Sequence, residues 1–167
     1  MNENHPVSQN GELTLAWARI DLDLKTNEAL IEEIQSDWVR NAMAKATEED
    51  GDSIKWSRYV DTILRPHSKV WDQAMLASII WFLVEEIGVT QLFYHTFETG
   101  SKFKHITWDQ PPKSLYTKLP SSYCFEITHN GPLFIRDTKA KHIRKNFVNP
   151  DTKWYFLDLS TLSKLGR

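Results

Sequence analysis

The sequence predicts an α/β (α+β) fold built on a mixed central sheet. Two β-rich stretches lie early in the chain, and a long apolar helix over residues 68–87 is followed at once by an aromatic, β-branched strand. Strand, helix and strand in this order are typical of a βαβ crossover, whose two strands are parallel. We expect residues 1–11 to be flexible and residues 12–167 to form a single domain.

Composition places the chain among ordinary globular proteins. Hydrophobic residues make up 41% of it, charged residues 25%, and the formal net charge is -2. This balance gives no general attraction to nucleic acid or to anionic membranes. The single cysteine, Cys124, excludes an intramolecular disulfide and is expected in a buried strand. No apolar run reaches the roughly 20 residues of a membrane span, so a cytoplasmic protein is expected.

The first half of the chain predicts a hairpin followed by helices. Residues 13–24 have β character, a turn follows at Lys25-Thr26-Asn27, and a second strand starts near Glu28. Residues 39–49 and 57–64 favour short helices. The long helix ends at Gly88, and its wide apolar arc predicts that it is covered on more than one side.

The second half predicts a strand over residues 89–97 and a short helical piece at 101–106. Asn130-Gly131 lies between two apolar stretches, 122–128 and 132–136, which predicts a hairpin there. Residues 153–157 have the composition of a last strand.

The second strand is unusually polar towards its end. Extended over residues 29–38, it would alternate its side chains, so that one face carries Ile31, Glu33, Gln35 and Asp37. Buried carboxylates need partners, so this end is either a ligand site or a structural network satisfied by Arg19, Arg40 or Lys69. Parallel pairing would bring it beside the end of the next strand, which carries Tyr94, His95 and Thr96.

These residue types suggest proton transfer and ligand binding. A desolvated carboxylate can act as a general base, and His95 can shuttle a proton near neutral pH. The alternative for His95 is a packed, hydrogen-bonded position. The catalytic candidates from the residues are Glu33, Asp37 and His95, and the ligand-binding candidates are Gln35, Trp38, Tyr94 and Thr96. Two carboxylates on one strand can hold Mg²⁺, but no metal site is predicted.

Residues 31–38, Ile-Glu-Glu-Ile-Gln-Ser-Asp-Trp, resemble the "EEIQSDW" signature of uncharacterised domains in large polyvalent proteins of bacteriophages and conjugative elements. Arg65-Pro66, Lys69 and Trp71 stand where those domains have a Lys/Pro and Trp-led helix. The resemblance spans residues 15–100 and implies a phage-related, mobile-element context. It supports the alternative of a non-catalytic interaction protein acting in defence or counter-defence.

A second resemblance concerns the order of elements. A strand, a long helix ending in Gly88, a strand and then Leu115-Tyr116-Thr117-Lys118-Leu119 before Phe125 are similar to the back half of GNAT-type N-acetyltransferases. This likeness implies a GNAT-like acyltransferase that holds acetyl-CoA between two parallel strands, with Tyr116 as the catalytic general acid.

The glycine loop that binds the cofactor phosphates in that family is absent here. The chain has Gln35-Ser36-Asp37-Trp38-Val39-Arg40 in its place. Asp37 would repel phosphate, and Trp38 would block the close backbone approach that glycine permits.

A basic segment follows in the last third of the chain. Aromatic residues Phe147 and Trp154 come soon after it, a mixture found in single-strand nucleic-acid binders, although a solvated face is the simpler interpretation. Its charges are Lys139, Lys141, Arg144 and Lys145. The expected partner is a small-molecule ligand or a protein, and the basic segment is the one feature that points to nucleic acid.

Overall fold

The computed structural model describes residues 14–48, 52–103, 112–139 and 151–160, and the start predicted to be flexible, 1–11, lies outside these ranges. Five strands form one sheet in the order β1-β2-β3-β5-β4. β2 and β3 are parallel, whereas β5 is antiparallel to both β3 and β4. The predicted α/β (α+β) class and the parallel pair across the crossover are therefore confirmed. The strands are β1 (Trp17–Asp23), β2 (Glu28–Gln35), β3 (Gln91–His95), β4 (Glu126–Thr128) and β5 (Trp154–Asp158).

The helices are mostly short. A π-helical turn, Val60–Leu64, leads into the third helix, and another, Phe82–Ile87, extends the fourth. A 3-10 turn spans Lys113–Tyr116. The α-helices are α1 (Asp37–Thr47), α2 (Ser53–Tyr59), α3 (Arg65–Ser68), α4 (Trp71–Trp81), α5 (Phe97–Phe103), α6 (Lys118–Ser122) and α7 (Leu133–Arg136).

The chain divides into two compact units. Unit 1 comprises residues 1–18 and 34–77, and unit 2 comprises residues 19–33 and 78–167. Helices α1 to α3 belong to unit 1, while β3, β4, β5 and α5 to α7 belong to unit 2. β1, β2 and α4 contribute residues to both.

The two faces of the sheet in unit 2 follow from its register. Leu30 pairs with Phe93, and Phe93 pairs with Phe156, so these three side chains share a face. They pack with Trp154 and with Ile135 of α7 in one buried cluster, and we call this side the α7 face. The opposite side carries Tyr94 against Tyr116, and we call it the Tyr116 face.

The polar strand ends earlier than the alternation predicted. β2 stops at Gln35, and Asp37 and Trp38 are the first residues of α1. Ser36 between them is extended and accepts a hydrogen bond from the Val39 N–H at 3.2 Å, which caps the helix. Its hydroxyl also donates to the Leu15 carbonyl. The extension of the strand to Trp38 was wrong because Ser36 is an N-cap.

The long helix is confirmed in part. α4 and its π-helical extension end at Gly88, which is left-handed with φ 83°, as the glycine predicted. The helix begins at Trp71 rather than at residue 68. The expectation of cover on several sides was wrong, because Trp81 is 57% and Phe82 46% exposed.

The hairpin predicted at Asn130-Gly131 does not form. Residues after Pro132 turn into α7, and β4 pairs with β5 instead. Gly131 faces the indole of Trp154, where an added Cβ would lie 2.7 Å from Nε1. The Glu28 carboxylate accepts from the Leu133 N–H at 2.7 Å and so caps the short helix. Tertiary contacts thus override the local turn signal.

Cys124 does not lie inside a strand. It precedes β4, has a left-handed backbone with φ 61°, and is exposed, so its predicted core position was wrong. The helical piece expected at 101–106 corresponds to α5 at Phe97–Phe103. Lys139 is exposed, whereas Lys141, Arg144 and Lys145 lie outside the described residues. None of the described helices has the length and apolar character needed to cross a bilayer.

Candidate functional site

Tyr116 is a candidate residue whose pKa is clearly shifted by its surroundings. It ends the 3-10 turn Lys113–Tyr116 and is 2% exposed. Burial raises the pKa of its phenol well above the usual value, because the charged form would lose hydration. The negative charge of Glu33 raises this pKa further, and that of Glu32 adds a smaller contribution. The hydroxyl therefore keeps its proton at neutral pH and can act as a hydrogen-bond donor.

Aromatic rings fix the position of Tyr116. Its ring meets the edge of Tyr94 at 5.8 Å between centroids and that of Phe97 at 6.3 Å. Gly100 in α5 lies so close that an added Cβ would be 3.2 Å from Tyr116 Cε1. These contacts hold the phenol against the Tyr116 face of the sheet.

Glu32 and Glu33 are consecutive, buried acids near the carboxyl end of β2, 3% and 8% exposed. As neighbours in a strand they project to opposite faces. Glu33 shares its face with Ile31, which pairs with Tyr94, so it lies on the Tyr116 face. This placement agrees with its larger effect on the pKa of Tyr116. Arg19 approaches Glu32 at 3.8 Å, so this cation lies beside the acid on the opposite face from Glu33.

His95 lies on the other side of the sheet. It is fully buried, two residues beyond Phe93, and therefore belongs to the α7 face. Its ring stacks on Trp154 at 5.1 Å, and its Nδ1 lies 3.2 Å from Thr99 Oγ1. The prediction that the acids on the Glu33 face would lie opposite His95 was wrong, because the register places His95 on the same face as Glu32.

Thr96 is a buried cap rather than a free ligand-binding hydroxyl. Its Oγ1 accepts from the Thr99 N–H at 3.3 Å, and the two threonine hydroxyls lie 3.1 Å apart. This arrangement begins α5 directly after β3. Thr96 thereby orders Thr99, which in turn holds the His95 ring.

In unit 1, Asp37 anchors the start of α1. Its Oδ2 accepts from the Trp17 indole N–H at 3.2 Å, and its Oδ1 accepts from Arg40 Nη2 at 2.8 Å. The carboxylate also lies in the first helical turn, where a negative charge is favoured by the helix dipole. Both oxygens thus have structural partners, with Arg40 as the cation that the network interpretation expected.

Trp38 and Gln35 also belong to unit 1. The Trp38 indole donates to the Tyr59 hydroxyl at 2.9 Å, and its ring lies 5.7 Å from His67. These contacts join α1 to the next two helices. Gln35 is half-buried, and its Oε1 is buried with no hydrogen-bond donor among the described residues. Unit 2 thus contains the candidates Glu33, Tyr94 and Tyr116 on one face of the sheet. Unit 1 contains Gln35, Asp37 and Trp38.

Sequence reasoning missed three residues of this region, namely Glu32, Thr99 and Trp154. Thr99 had a readable signal, since Thr96 stands directly before a helix-forming run and Thr99 is its third residue. Trp154 had none, because its stacking on His95 depends on the antiparallel pairing of β3 with β5.

No family model, curated protein or solved structure matches the chain. The likenesses to the "EEIQSDW" domains and to GNAT-type enzymes therefore stay predictions from the sequence. Across the described ranges, no group of three His, Cys, Asp or Glu side chains is arranged to hold a metal ion.

Proposed function

We propose that the chain is a small ligand-binding domain of GNAT-like α/β form that binds an amine at the carboxyl ends of β2 and β3. The observation that carries the proposal is a buried acid, Glu33, on the same face of the sheet as a buried phenol, Tyr116, whose pKa its charge raises. Ligands of open α/β sheets bind at the carboxyl ends of their strands.

The charge of this region supports a cationic ligand. Glu33 and Glu32 both raise the pKa of Tyr116, which means that their negative charge is felt at its hydroxyl. An ammonium group bound near Glu33 would offset that charge and lower the pKa of the phenol. Binding of the amine would therefore make Tyr116 a better proton donor.

Acyl transfer to this amine is the reaction that we propose for the site. Glu33 would take one proton from the ammonium, and the freed amine would attack the carbonyl of the acyl donor, so that the N–C bond forms as the bond to the leaving thiolate breaks. Tyr116 would protonate the departing thiolate and regain a proton from the nitrogen, which leaves a neutral amide. Acetyl-CoA does not fit the residues present. GNAT-type enzymes bind pyrophosphate at the corresponding helix start. Here the Val39 N–H already donates to Ser36 Oγ, and Asp37 places a negative charge at the start of α1. A simple acyl thioester without phosphates is the donor to test.

Thermal unfolding with a panel of polyamines and small primary amines tests the binding step. A ligand at 100 times its Kd stabilises the folded state by about 2.7 kcal/mol, which corresponds to roughly 5–10 °C in Tm for a chain of this length. Glu33→Gln should abolish the shift, and Glu126→Gln, at an exposed acid on β4, should keep it. No shift with any amine, or a shift that survives in Glu33→Gln, contradicts the proposal.

A non-catalytic interaction protein is the second candidate, favoured by the exposed Trp81 and Phe82 at the end of α4. Large apolar side chains exposed side by side are characteristic of protein-binding surfaces. Replacing both by serine should remove any partner that the wild-type protein retains from a host or phage lysate. Glu85→Gln and Glu86→Gln, at exposed positions one turn away, serve as the control. Equal retention by both variants would exclude this surface.

A further inference from the structure

Strand β1 forms one edge of the sheet. It pairs with β2, and among the described strands none lies on its other side. Alternate residues of such an edge direct their N–H and C=O groups away from the sheet. β1 is seven residues long and has neither proline nor glycine, and Leu22 within it is 43% exposed. The edge thus retains the features that allow another strand to pair with it.

The charges of β1 are arranged symmetrically. Its sequence is Trp-Ala-Arg-Ile-Asp-Leu-Asp, so Arg19 and Asp21 flank Ile20 at the centre. Both side chains are exposed, and both project to the same face because they are two residues apart. Asp21 has no side-chain hydrogen bond or ion pair within the described residues, and Arg19 is 52% exposed although it approaches Glu32.

Pairing of β1 with a second β1 can adopt only a few registers. A two-fold axis perpendicular to the sheet lies midway between the two strands. Because directly opposed side chains must lie on the same face, one residue at the centre must lie opposite its own copy. Centring on Arg19 would place Arg19 opposite Arg19, and centring on Asp21 would place Asp21 opposite Asp21. Like charges directly opposite each other destabilise a strand pair.

The register centred on Ile20 has no such conflict. It places Arg19 opposite Asp21 of the second copy and Asp21 opposite its Arg19, which gives two opposite-charge pairs. On the other face it places Leu22 opposite Ala18, so that an exposed leucine gains an apolar neighbour. Among the three registers that keep most of the strand paired, this one alone sets no like charges directly opposite each other.

We propose that two copies of this chain associate through antiparallel β1 edges, with the two-fold axis at Ile20 and reciprocal Arg19–Asp21 pairs. The sheet becomes continuous across the two copies, and each copy contributes the same surface.

Charge reversal tests this register directly. Analytical ultracentrifugation of the full chain from about 1 to 100 µM should show a concentration-dependent dimer. Asp21→Arg sets the introduced guanidinium opposite Arg19 of the other copy, and Arg19→Asp sets the introduced carboxylate opposite Asp21. Each conflict occurs twice in the dimer, so each variant should weaken association by roughly tenfold or more. Glu85→Arg, an equal reversal at an exposed site on unit 2, should leave dimerisation unchanged.

Mixing the two variants supplies the decisive result. At positions 19 and 21 the Asp21→Arg strand carries two arginines and the Arg19→Asp strand carries two aspartates, so both pairs between them are attractive again. A mixed dimer should therefore form with at least wild-type affinity. Far-UV circular dichroism checks that each variant is folded. A wild-type protein that stays monomeric throughout the range overturns the proposal, as do unaffected single variants or a mixture that does not associate.

Discussion

Replacing Asp37 tests whether this acid stabilises unit 1 or serves a ligand. In Asp37→Ala the helix loses a buried hydrogen bond from Trp17, a half-exposed ion pair with Arg40 and a favourable charge in its first turn. A hydrogen bond to a charged group contributes about 1.5–3 kcal/mol, a solvent-exposed pair about 0–1, and the dipole term about 0.3–1. We expect a loss of roughly 2–4 kcal/mol in the free energy of unfolding.

Asp37→Asn separates these contributions. The amide oxygen can still accept from the Trp17 indole, while the charge facing Arg40 and the helix dipole is lost, so the expected cost is about 1 kcal/mol. Asp72→Ala is the matched control, because Asp72 also lies in a first helical turn but, within the described ranges, its side chain accepts only from the adjacent Gln73 N–H. It should cost about 0.3–1 kcal/mol.

Urea unfolding followed by far-UV circular dichroism measures all three variants without relying on tryptophan emission near the mutation. The structural role is refuted if Asp37→Ala costs no more than Asp72→Ala. Equal losses in the alanine and asparagine variants would instead show that the Trp17 hydrogen bond contributes little.

Three further predictions concern close packing, backbone geometry and titration. Gly131→Ala should lower the free energy of unfolding by about 1–3 kcal/mol, because its Cβ would lie 2.7 Å from the buried Trp154 ring. Gly100→Ala should change it much less, because its Cβ would lie 3.2 Å from Tyr116 and alanine favours a helix. Chemical unfolding compares the two variants. Gly88→Ala should cost about 1 kcal/mol through its left-handed backbone alone, since nothing lies within 4 Å of the added Cβ, and Gly88→Asn should cost less if this reason is right. The pKa of Tyr116 is raised in the folded state, so the unfolded chain releases this proton first and stability should fall as the pH rises above about 10. Tyr116→Phe should show a shallower alkaline decline in Tm, and identical declines would contradict the assigned burial.

Local patterns were enough to predict most of the sheet. The alternation of residues 20–24, the apolar run ending at Gly88 and the aromatic strand after it gave β1, α4 and β3 within a few residues. The crossover between β2 and β3 then required them to be parallel. These features follow from composition and period, which a single sequence displays.

The failures arose where distant residues decide the outcome. Ser36 can continue a strand or cap a helix, and its contacts with Val39 and with Leu15 select the cap. The Asn130-Gly131 turn signal is overridden by Trp154 and by Glu28, which are far away in the chain.

The candidate site depended on the register between β2 and β3, which the local sequence pattern did not determine. A shift of one residue moves every side chain of a strand to the opposite face. The register places Glu33 on the Tyr116 face and His95 on the α7 face, although all three were identified as candidates from the sequence.

The long crossover between β2 and β3 has a kinetic consequence. Asn27 and Thr90, which bond to each other at the start of this parallel pair, are separated by sixty-three positions in the chain. The chain must close a large loop, at a cost in entropy, before contacts so distant can stabilise it, and this slows folding. The hairpin of β1 and β2 can form early from neighbouring residues, whereas β3 must wait until the intervening helices have brought it back. A refolding chain should thus leave the β3 side of β2, which carries Glu32 and Glu33, unpaired until late in the process.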